Sequence, residues 1–119
     1  MIALSMMKTA AVLLALAAIG GLTMAVIRFR GADRPASSLA MAHGLLAAAA
    51  LTLLIYSAVA AGVSALAGIA IVLFVIVASV GAWLNLKFHS KLLPLPKTPI
   101  VIHGVVAVVA FLLLLLSLR

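Results

Sequence analysis

The sequence predicts an all-α integral membrane protein, four transmembrane helices built as two helical hairpins that repeat in parallel. Three observations carry that expectation. Of 119 residues, 69% are hydrophobic and the mean hydropathy is +1.52. A soluble domain of this length cannot hide so much apolar surface, so the expected solvent is lipid. The nine charged side chains leave long gaps: 19 uncharged residues between Lys8 and Arg28, 52 between Arg34 and Lys87, and 21 between Lys97 and Arg119. A spanning helix needs about 20 apolar residues, so the gaps hold one, two and one. Finally, a His-Gly pair occurs twice, at His43-Gly44 and His103-Gly104. Aligning 42–58 with 102–118 at that offset of 60 matches seven of seventeen positions.

The spans are expected near 8–28, 37–60, 64–86 and 98–118, a single domain over 1–119 with halves at about 8–60 and 64–118. The first also has the layout of a signal peptide, with one Lys, an apolar stretch and small residues at Gly20 and Gly21; it is read as a retained helix. The second follows Pro35, and the fourth follows Pro96. Proline suits a helix's first turn, where no backbone donor is needed. Asp33, the only acidic residue, is expected to cap the second helix or pair with Arg34. The turn between helices two and three is placed at Ser57 to Ser64. There Gly62 supplies the left-handed residue that ends a helix, and Ser64 the next N-cap. Arg28-Phe29-Arg30 closes helix one much as Lys87-Phe88-His89 closes helix three.

Each half is thus a helix, a basic loop, a Pro-marked helix start, His-Gly and an apolar helix. Both hairpins start on the same side, which implies a pseudo-twofold axis along the membrane normal. Arg28, Arg30 and Arg34 lie in the first loop, and Lys87, Lys91 and Lys97 in the third. Positive charge accumulates on the cytoplasmic side. Topology therefore explains the net charge of +7, and no nucleic-acid partner is expected. Both termini should face outward, into the periplasm for a bacterial inner membrane. Trp83, Phe88 and Phe29 fit an aromatic belt at the basic end, and Tyr56 fits one at the other. Asn85 and Thr23 read as structural. Small residues at four-residue spacing (Ala17 and Gly21; Ser57, Ala61 and Ala65) let helices approach closely. The 112–116 leucine run reads as facing lipid or a partner.

The matched positions 43, 47, 50, 54 and 57 step by four and three, which places them on one helix face. His43 and His103 should lie at equal depth, one to two turns inside the basic boundary at about 1.5 Å per residue. Facing imidazoles can ligate a metal macrocycle between them, and helical bundles build cofactor sites in their cores. The expected cofactor is haem b, with His43 and His103 as its metal ligands. Gly44 and Gly104 would let the porphyrin approach the backbone. Arg28, Arg30, Arg34 and Lys87, with Lys91, would neutralise its propionates. Plainer readings stand beside this one. Intramembrane histidines also bond across helices, glycines also mark close packing, and basic loops follow from topology alone. His89 is expected in solvent or among headgroups, and less readily as a second ligand or a propionate contact.

On these residues the chain resembles the small four-helix, di-haem membrane cytochromes b in helix number and in placing ligands on facing helices. The resemblance runs the length of the chain but rests on two histidines, and the second histidine pair is missing. It implies a single-haem protein exchanging electrons with a quinone or redox partner, or serving as a subunit of a larger membrane complex. The alternative is a cofactor-free accessory subunit. The chain is also similar in size to the four-helix multidrug transporters, but that family depends on a membrane-embedded glutamate and this chain has no glutamate. A metal or small-molecule carrier is the third reading. With no cysteine, disulfides, thiolate metal sites and cysteine-ligated clusters are excluded. No nucleophile–base pair or phosphate-binding loop appears.

Overall fold

A computed structural model describes residues 2–119. Helix α1 spans Ile2–Phe29, α2 Ser37–Ala61, α3 Ala65–Leu84 and α4 Lys97–Ser117; α3 runs on into a π turn, Asn85–His89. All four are long and apolar enough to cross a membrane, and the bundle measures 45 × 21 × 20 Å. Helix α1 packs mainly on α2 and α3 mainly on α4, with slighter α1–α4 and α2–α3 seams. The helices therefore run round a square, with α2 and α4 at opposite corners.

The ends reflect local chemistry. Gly62 takes φ +73° and its N–H reaches the Ala58 carbonyl, while the Ser64 hydroxyl accepts from Ala67 N–H at 3.2 Å. Both turn residues thus act as expected. Helix α1 starts at Ile2 rather than near Lys8, because an exposed lysine lays its stem along the helix and does not end it. The N-cap of α2 is Ala36, with no side-chain cap bond, so Asp33 does not cap this helix. Exposed Thr9, Thr23, Thr52 and Ser79 each donate to the carbonyl four residues back at 2.8–2.9 Å. Those hydroxyls are therefore satisfied without water.

The core is layered. Within each hairpin, moving along both helices by threes and fours brings Ala10 level with Leu54 and Leu14 level with Ala50. In the second hairpin Ala70 comes level with Leu114 and Phe74 with Ala110. Large side chains thus meet small ones, and the large one alternates between helices; all eight are buried. Most buried residues have a buried counterpart 60 positions on: Met7 and Ala67, Ala11 and Ile71, and Ala17 and Val77, beside Ala10 and Ala70, Leu14 and Phe74, Ala50 and Ala110, and Leu54 and Leu114. The correspondence departs at the π turn. A π turn holds an extra residue and rotates the chain beyond it, so His89 is buried (6% exposed) while Phe29, 60 positions earlier, is exposed.

The two loops at the His-Gly end are knitted together. Leu95 N–H donates to the Asp33 carbonyl at 2.9 Å. Arg28 Nε donates to the Leu95 carbonyl at 2.8 Å, and Arg34 to the Leu92 carbonyl at 3.2 Å. His89 Nε2 donates to the Pro35 carbonyl at 2.9 Å. His89 is therefore a buried bridge between loops, contrary to the expectation of a solvated side chain. Leu92 sits at φ +58°, a left-handed conformation unfavourable to a branched side chain.

Candidate histidine site between opposite helices

The layer rule continues at the His-Gly end with the sharpest size contrast in the molecule. His43 on α2 lies against Gly21 of α1, and His103 on α4 against Gly81 of α3. A Cβ at Gly21 would stand 2.9 Å from His43 Cε1, and one at Gly81 would stand 3.1 Å from His103 Cε1. At Gly21 a side chain would force the ring to shift, and at Gly81 it would fit only if the ring gave way by a few tenths of an ångström. Across the bundle the two imidazoles face each other with centroids 6.3 Å apart and planes inclined at 66°. Both are half-buried.

The His43 ring is oriented by its hydrogen bond. Nδ1 lies 2.7 Å from the Ala17 carbonyl. A carbonyl only accepts, so Nδ1 carries the proton and the neutral ring keeps its lone pair on Nε2. That is the tautomer of a metal-binding histidine, whose other nitrogen donates to a backbone carbonyl or carboxylate. In the second hairpin the Val77 backbone lies beside the His103 ring. His103 Nδ1 is nonetheless buried and has no partner within hydrogen-bond geometry.

Of the remaining expected site residues, Gly44 and Gly104 are exposed, with nothing within 4 Å of where a Cβ would stand. The glycines that touch the imidazoles are Gly21 and Gly81 instead. Their signal is present in the sequence: Gly21 precedes His43, and Gly81 precedes His103, by the same interval. Arg28 and Arg34 are engaged with loop carbonyls at the knitted end, while Arg30 and Lys87 are exposed at that same end. Lys97 lies 5.6 Å from the Phe29 ring centroid, and Trp83 packs edge-on to Phe88 at 5.2 Å.

Among the described residues no group of three His, Cys, Asp or Glu is placed to hold a metal ion. Two imidazoles alone suit a metal that arrives with its in-plane ligands already supplied. A metal bonded at about 2.0–2.1 Å to one nitrogen of each ring puts their centroids roughly 6 Å apart, which the observed separation meets. Comparison with family models, curated proteins and solved structures finds no match.

Proposed function

We propose that this chain is an integral membrane cytochrome-like protein holding one b-type haem between His43 and His103. The observation that carries the reading is the imidazole pair: two rings 6.3 Å apart, each seated on a glycine, one already fixed as the Nδ1–H tautomer. A bound haem would supply one-electron chemistry. The protein's part is to orient two Nε2 lone pairs and exclude water below the site with the alanine and leucine layers. Arg28, Arg30, Arg34 and Lys87 would place positive charge at the propionate end. With one site near one end, electrons would pass to a quinone or a redox partner rather than across the bilayer.

We also read the two hairpins as copies of one unit related by an axis along the bundle, supported by the repeating burial pattern and by Gly21/Gly81 with His43/His103. The basic loops then lie on the cytoplasmic side and both termini outside, in the periplasm if the membrane is a bacterial inner one. One observation favours a second reading, a cofactor-free accessory subunit of a larger complex. The His43–Ala17 bond already joins two helices, and the histidines fill the large positions of their layer as leucines do elsewhere.

A reduced-minus-oxidised absorption spectrum of the detergent-purified protein, beside His43→Ala and His103→Ala, separates the two. Soret and α bands weakened by both substitutions support the cytochrome. A wild type that stays colourless after haem is supplied leaves the subunit reading.

A further inference from the structure

The two histidines are not equivalent, and the cause is legible in the helices they lean on. Helix α1 offers His43 three small positions, Ala17, Gly20 and Gly21, and the ring contacts all three. The corresponding face of α3 is Val77, Val80 and Gly81. Two branched side chains thus stand where α1 has a methyl and a hydrogen. The ring of His103 sits slightly farther back from its helix partner. Nδ1 lies 3.4 Å from the ideal Cβ position of Gly21 in the first hairpin, and 3.8 Å from that of Gly81 in the second. The retreat leaves His103 Nδ1 buried without a partner, while His43 Nδ1 donates at 2.7 Å.

We propose that His43 is the permanent axial ligand and His103 an exchangeable one, so that the α3–α4 side of the site admits a small neutral ligand of the carbon monoxide or nitric oxide class. The proposal rests on the haem reading. An outer-shell hydrogen bond fixes a ligating ring's tautomer and raises its basicity, and losing one typically costs about 10–100-fold in metal affinity. His103 Nδ1 lies beside the Val77 backbone but outside hydrogen-bond geometry, so its outer-shell interaction is weaker than the 2.7 Å bond of His43.

The test takes the full-length protein in detergent, loads it with haem, reduces it and titrates it with carbon monoxide. Three results are expected: saturable spectral change in the wild type; His103→Ala retaining haem; and His43→Ala binding haem at least about tenfold more weakly than His103→Ala. Val77→Ala with Val80→Gly, which gives α3 the small residues of α1, should slow carbon monoxide binding. A readout independent of haem accompanies these: in 15N-histidine-labelled apoprotein, the Nδ1 proton of His43 should exchange more slowly than any on His103. Haem bound with no response to carbon monoxide, equal losses in the two histidine variants, or equal exchange overturns the proposal while leaving the cytochrome reading intact. A wild type that binds no haem overturns both.

Discussion

Substituting Gly21 by alanine isolates the contact on which the site is built. The new Cβ would stand 2.9 Å from His43 Cε1, so the ring must move. It is tied at the neighbouring ring nitrogen by the 2.7 Å bond to Ala17, and moving the ring away strains that bond. Overpacking costs about 1–3 kcal/mol and an interhelical bond between apolar helices is worth about 0.6 kcal/mol. About 1 kcal/mol of helix propensity offsets this, leaving a destabilisation of about 0.6–2.6 kcal/mol. Gly81→Ala should cost less, because the corresponding gap is 3.1 Å and His103 is free to swing. Gly44→Ala, which meets nothing within 4 Å, carries the propensity gain alone and should stabilise by up to about 1 kcal/mol. Unfolding in mixed detergent micelles, read by circular dichroism, gives the three values. If Gly21→Ala and Gly44→Ala unfold alike, the glycine seat is not a packing constraint and the geometry argued for His43 is wrong.

Three further outcomes are expected. His89→Ala removes a buried donor from the Pro35 carbonyl and should lower stability by about 1–3 kcal/mol, measured by the same unfolding. Leu92→Asn should raise stability by about 0.5–1 kcal/mol, since Asn tolerates the left-handed conformation that Leu adopts at a cost of about 1–2 kcal/mol. Because the chain has no cysteine, single cysteines report topology directly. Cysteines at 32 and 92 should be labelled by an impermeant reagent only after the cytoplasmic face is exposed, and one at 63 without that exposure; the reverse pattern would invert the proposed orientation.

Much of this architecture is legible in the residues themselves, for reasons that can be named. Gly62 and Ser64 announce their turn because φ > 0 and N-capping are local demands. The inward face 43, 47, 50, 54 and 57 is visible because the same residues recur at 103, 107, 110, 114 and 117. The features that escape a sequence reading depend on contacts between elements. Gly21 and Gly81 look like ordinary small residues until their partners across each hairpin are known. The burial of His89 depends on a π turn that no local pattern marks. Asp33 suggests a cap by residue type, yet the chain leaves that loop through Pro35 and enters α2 with Ala36 at the N-cap and no side-chain cap bond.

The knitted loops also bear on the order in which the chain assembles. Each hairpin's own interface joins residues close in sequence, so it forms as soon as two helices exist. The loop-to-loop bonds of His89, Arg34 and Arg28 join residues 54, 58 and 67 positions apart, and none can form until α3 and the loop that follows it have been synthesised. An amino-terminal half released early would expose an Arg28 without the Leu95 carbonyl and a Pro35 carbonyl without its donor. That unclosed end distinguishes an unfinished chain from a finished one, and is a feature a membrane protease could read.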